Sequence, residues 1–182
     1  MELADENKSL LMIIDVQEKL VNAVFNKEIL LKKAEVLSKA SEILDLPVIV
    51  TEQYPKGLGE TVEFVKNFVP KSTVFCEKTD FSALNNGEIL SFIERTGKKQ
   101  IVIFGIETHI CVNHTVYDLI KNGYEVFLVK DACGSRDESE HNAGIELMNK
   151  YGANIVTTET ILFELLRTSK HDKFKEIQKL IK

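Results

Sequence analysis

Three residues of this 182-residue chain combine a reactive side chain with a place at the end of an apolar run: Asp15, Lys78 and Cys111. Asp15 follows the run LLMII directly. A carboxylate at the lip of a buried, low-dielectric strand has its pKa raised by desolvation and becomes a better base. The same residue as a helix N-cap would do no chemistry, and its position allows that as well. Lys78 opens onto the segment EKTDFSAL after another short run. An ammonium there can pair with Asp15 and hold developing negative charge, although most lysines are simply solvated. Cys111 lies in GIETHICV, in the first turn of the helix expected over 110–122. A helix N-terminus lowers a thiol's pKa and offers N–H groups to an oxyanion, while the commoner fate of a free cysteine is packing.

The remaining cysteines and histidines compete for these roles. Cys76 falls inside an apolar run and reads as core, whereas Cys133, in the loop sequence KDACGSRDES, is the rival nucleophile. His114, three residues after Cys111, is spaced to form a thiolate–imidazolium pair. His109, Cys111 and His114 do not read as a metal site, since ligands at that spacing on one helix rarely converge and no companion pair exists. His141 and His171 read as solvent-exposed helix residues. Gly57 and Gly59 lack the third glycine of a dinucleotide loop, and no Walker motif is present, so mononucleotide or dinucleotide binding is not expected.

Positioning such residues is the work of a parallel sheet. Short β-branched runs at 10–14, 48–51, 73–76, 101–104, 125–129 and 154–157 alternate with segments of helical period at 27–44, 88–96, 110–122 and 139–151, and shorter helical patterns occupy 160–166 and 171–181. Gly97, Gly123 and Gly152 fall at helix C-caps. The expectation is a single α/β domain over 1–182, a doubly wound six-stranded parallel sheet with helices on both faces, and a long surface loop at 51–70. In such sheets ligands bind beyond the carboxyl ends of the strands. By that rule Gln17, Tyr54, Phe81 and Thr108 are the expected substrate-binding residues.

Composition narrows the partners. Apolar residues at 44% and charged residues at 28% fit a folded globular chain without a membrane anchor. A net charge of −5 argues against nucleic acid and anionic membranes. Three cysteines suit no disulfide framework, and the polar, acidic start MELADENK resembles no leader, so a cytoplasmic protein is expected.

Taken together, D-V-Q at 15–17, E-K-T-D-F-S at 77–82 and G-I-E-T-H-I-C-V at 105–112 resemble the isochorismatase-like cysteine hydrolase superfamily. The likeness runs from Leu10 to about Leu166, and VTEQYPKGLGETV at 50–62 resembles the isochorismatase domain-containing subgroup. The resemblance implies Cys111 as nucleophile, Asp15 as general base and Lys78 as the orienting cation. It also implies a cis peptide between Ile106 and Glu107, an oxyanion hole from the N–H groups of Glu107 and Cys111, and a homo-oligomer acting on a small molecule without a cofactor. The region reading T-E-Q-Y-P lacks the D-x-H metal motif of nicotinamidases, and the cysteine distinguishes the chain from enzymes that cleave isochorismate. Hydrolysis of an amide-like C–N bond through a thioester is therefore the expected reaction. A thiol-based redox sensor and a catalytically idle binding scaffold are the alternatives.

Overall fold

The structure, a computed structural model, describes residues 2–182. Strands β1 (Ser9–Ile14), β2 (Val48–Gln53), β3 (Val74–Lys78), β4 (Gln100–Gly105), β5 (Glu125–Val129) and β6 (Asn154–Val156) form one parallel sheet in the order β3-β2-β1-β4-β5-β6. β1 and β4 are buried at every position, which is why they read as unbroken apolar runs rather than alternating ones. Phe104 and Phe127 are the largest of the fully enclosed side chains. Each Leu, Ile or Val enclosed this way contributes roughly 1.5–3 kcal/mol, enough collectively to hold polar strand ends in a fixed frame.

The helices are α1 (Glu18–Val21), α2 (Lys27–Ile43), α3 (Pro55–Leu58), α4 (Glu63–Lys66), α5 (Gly87–Thr96), α6 (Asn113–Lys121), α7 (Glu138–Tyr151), α8 (Thr158–Leu166) and α9 (Phe174–Ile181). The crossovers from β1 to β2 and β2 to β3 run toward one edge, and crossovers of parallel strands are right-handed almost without exception. Those from β3 to β4, β4 to β5 and β5 to β6 run toward the other, so α5, α6 and α7 lie on the face opposite α2. α8 and α9 pack with α2, and α6 packs with α7. The winding direction reverses between β1 and β4, and the carboxyl ends of these neighbours form the topological switch point.

Gly105 makes their close approach possible. It pairs with Ile14 at φ +142°, and a Cβ there would lie 2.0 Å from the Ile14 carbonyl oxygen.

The sheet and its layers match the expected architecture, and the differences are local. β2 runs on to Gln53, and the expected loop beyond it contains the single turns α3 and α4. β3 ends on Lys78 itself. The helix expected from 110 is instead a π-helical turn, Thr108–Val112, leading into α6.

Candidate active site

Asp15 directly follows β1 with a left-handed backbone, φ 50°, which Asp tolerates better than most residues. It does not cap a helix, because Gln17 occupies the N-cap position of α1. Its Oδ1 accepts from the Thr51 hydroxyl at 2.6 Å and its Oδ2 from Lys78 Nζ at 2.7 Å. Both members of this ion pair are enclosed, with side-chain exposures of 1% for Lys78 and 0% for Asp15. Lys78 lies two strands from Asp15, and its four-carbon stem crosses the intervening β2 to reach it. On the way its ammonium donates to Gln53 Oε1 at 2.7 Å and more weakly to the carbonyls of Asp80 and Phe81 at 3.3 and 3.5 Å. A buried charge pair of this kind persists only when its remaining hydrogen-bonding positions are filled, as they are here.

Cys111 comes to the same place from the other side of β1, on the π-helical turn after β4. α7 packs tightly on that turn through Gly144, where a Cβ would lie 3.0 Å from His109 Cα. Cys111 is 6% exposed. Asp15 and Lys78 lie close enough for their charges to act on its thiol, in opposite senses. Burial dominates and pushes the thiol up to about 12, Asp15 adds to the rise, and Lys78 opposes it. The expected lowering of this thiol is thus reversed: removal from water, with Asp15 beside it, outweighs the ammonium. Cys111 rests as a neutral thiol beside a carboxylate.

The peptide bond between Ile106 and Glu107 is cis. Among the described residues the Glu107 N–H has no acceptor, while the Glu107 carboxylate accepts from the Arg136 Nε at 2.9 Å and its backbone N–H at 3.1 Å.

The expected ligand-contacting residues divide. Tyr54 and Phe81 are 56% and 54% exposed and flank Lys78: the Tyr54 N–H donates to the Lys78 carbonyl, and the Phe81 carbonyl faces the ammonium. Gln17 is fully enclosed, and its amide bonds to the main chain of Gln53 and Gly59, which ties down the loop. Thr108 is also enclosed, its hydroxyl 2.9 Å from His141 Nδ1. A hollow of about 240 Å³ adjoins Lys78, walled by Tyr54, Glu77, Asp80 and Asn86 among others. A larger groove of about 1030 Å³ runs between edge strand β3 and α5, past Phe75 and Arg95, and touches none of the three reactive residues.

Other expectations need correction. Cys133, expected in an open loop, is instead fully buried at 0% exposure, its thiol pushed up to about 12 by burial. His114 turns away from Cys111 to the Ile110 carbonyl at 2.7 Å, and His109 pairs with Ser135 at 3.0 Å. His141 is half-buried against Phe25, its pKa lowered chiefly by burial. His171 precedes α9 and sits 3.1 Å from Glu6. Thr51 and Gln53 were missed by residue-type reasoning. The strand-end rule that selected Asp15 finds them on β2, beside β1.

A doubly wound α/β domain with polar side chains gathered at its switch point is the class these features define. The model of the isochorismatase domain family matches residues 9–160, and the chain belongs to that family. It is similar to "Isochorismatase family protein 1A" of Dictyostelium discoideum, 40% identical over 176 residues covering 94% of this chain and 84% of the relative. "Isochorismatase domain-containing protein 2" of Xenopus laevis is 40% identical over 178 residues, 97% of this chain and 84% of the relative. Among solved structures, that of MAR1 ribonuclease from Caenorhabditis elegans superposes with a TM-score of 0.94 at 35% identity, covering 98% of this chain and 92% of that one. Among the described residues no helix is long and apolar enough to cross a membrane.

Proposed function

We propose that this isochorismatase-family chain hydrolyses an amide-like C–N bond of a small molecule, with Cys111 as nucleophile. The observation that carries the reading is the enclosed Asp15–Lys78 pair, 2.7 Å apart, acting on a single thiol at the switch point. Because that thiol is neutral at rest, proton transfer to Asp15 accompanies attack. The Cys111 sulfur bonds to the carbonyl carbon, and its proton passes to the carboxylate. The N–H groups of Glu107 and Cys111 receive the oxyanion. The tetrahedral adduct collapses with cleavage of the C–N bond, and the departing nitrogen takes the proton from Asp15. Water, deprotonated by Asp15, then attacks the thioester, the C–S bond breaks as the Asp15 proton returns to the Cys111 sulfur, and the product leaves as the carboxylic acid, which ionises in solvent. Lys78 holds the Asp15 carboxylate in place throughout. Tyr54 and Phe81 are the proposed walls for substrate, and no cofactor enters the scheme.

The redox-sensor alternative differs in turnover: it predicts reversible oxidation of Cys111 and no amine release from any amide. The similar Caenorhabditis elegans protein is called a ribonuclease, which raises RNA as a substrate. Phosphodiester cleavage calls for cations free to meet phosphate, whereas Lys78 is committed to Asp15 and the chain carries −5 overall. The proposal includes self-association and a reducing, cytoplasmic location in keeping with the free thiols; solution mass by light scattering tests the former. The activity test is a panel of small amides, ureido compounds, hydroxamic acids and a single-stranded RNA, run with wild type and Cys111→Ala. Amine release that disappears in Cys111→Ala is the expected result. Amine release that survives the substitution, or RNA cleavage without amide turnover, contradicts the assignment.

A further inference from the structure

We propose that Thr115 is a positioning residue whose hydroxyl brackets the Lys78-bearing loop to the Cys111 turn. The inference rests on the roles assigned above to Cys111 and Lys78. Thr115 lies in α6 and is fully enclosed. Its Oγ1 donates to the Cys111 carbonyl at 2.7 Å and accepts from the Ala83 N–H at 3.0 Å. A hydroxyl has one proton to give and lone pairs to receive with, so both bonds coexist.

Ala83 belongs to the loop that leaves β3 at Lys78 and folds back beneath the ammonium, where the Asp80 and Phe81 carbonyls face Nζ. The loop's other polar anchors lead away from the nucleophile. Gln53 Nε2 donates to the Thr79 carbonyl, and Asn86 bonds the Glu77 carbonyl while capping α5. Ser82, next to Ala83, is 4% exposed with its hydroxyl unpaired, so it supplies no anchor. Phe81 meets His114 at the surface, ring to ring at 5.6 Å, without a hydrogen bond. Among the described residues, Thr115 is thus the hydrogen-bonded link between the loop and the nucleophile segment.

The consequence is electrostatic. Lys78 is the group that opposes burial and Asp15 in setting the Cys111 thiol, and its influence falls with distance. Without the bracket, the buried Ala83 N–H and Cys111 carbonyl lose a shared partner, and the loop gains by moving toward water. Lys78 then acts on Cys111 from farther away.

A double-mutant cycle tests this. Lys78→Gln is made in wild type, Thr115→Ser and Thr115→Val, and Cys111 alkylation by iodoacetamide is followed at about pH 9.5 by peptide mass spectrometry. Lys78→Gln is expected to slow alkylation about tenfold, one pKa unit, in wild type and Thr115→Ser, and less than about threefold in Thr115→Val. A role confined to fold stability would leave the Lys78 effect equal in all three backgrounds, and that result overturns the inference alone. If Lys78→Gln changes nothing even in wild type, Lys78 has no hold on the thiol, and the inference falls with that assignment. Should Thr115→Val not fold, Thr115→Ala carries the same comparison.

Discussion

The resting state of Cys111 can be read directly from its alkylation rate. An ordinary cysteine thiol has a pKa near 9, and enclosure takes Cys111 to about 12. Three pKa units correspond to about a thousandfold lower thiolate fraction anywhere below pH 9. Since only the thiolate attacks iodoacetamide, the folded protein should label at Cys111 about a thousandfold more slowly than the same residue in the urea-unfolded chain at pH 8. The rate should climb close to tenfold per pH unit and show no plateau through pH 10. The assay is timed quenching with iodoacetamide between pH 6 and pH 10.5, followed by quantification of the Cys111 peptide. A plateau below pH 8, or folded-state labelling faster than that of the unfolded chain, would refute the reasoning and restore a stored thiolate as the reactive form. The distinction matters mechanistically, because a neutral thiol needs Asp15 to accept its proton during attack, while a thiolate does not.

Three other outcomes follow from the same geometry. Lys78→Met leaves the Asp15 carboxylate enclosed without its cation and should lower stability by about 3–5 kcal/mol, measured by urea unfolding at neutral pH. Gly105→Ala drives a methyl into the Ile14 carbonyl and should both destabilise the protein and abolish turnover; wild-type activity in that variant would show that β1 and β4 tolerate separation at the site. Cys133 gives a pH dependence whose sign is fixed. Its folded-state pKa, about 12, exceeds the ordinary value of 9, so the folded chain holds the proton more tightly than the unfolded one. The resulting stability is complete below pH 9 and is lost as pH rises through 12, with a ceiling of about 4 kcal/mol from three units at 1.36 kcal/mol each. Thermal unfolding of wild type should fall away above pH 9 more steeply than that of Cys133→Ala.

The sheet was legible because its strands are buried on both faces and announce themselves as uninterrupted apolar runs, and the strand-end rule alone pointed to Asp15 and Lys78. Cys111 stood out by its place after β4. What residue types do not carry is burial. Cys133 sat in the sequence of an open loop, yet it is fully buried, while Cys111 meets a charge pair. Gln17 looked like a ligand-binding group, but in the fold both amide protons and the amide oxygen bond the main chain of the loop. His141 had the sequence context of an exposed helix residue, and Phe25 and Thr108 approach it from distant segments to leave it half-buried. The π-helical turn before α6 was likewise hidden, since its composition does not distinguish it from a first α-helical turn.

Rapid acid quenching during turnover of the best small amide, followed by intact and peptide mass spectrometry, tests the central claim most directly. Attack by Cys111 predicts an acyl group on that residue at early times, absent from Asp15→Asn and from Cys111→Ala. Steady amine release with the acyl group on another residue, or with no acyl-enzyme at any quench time, would contradict it.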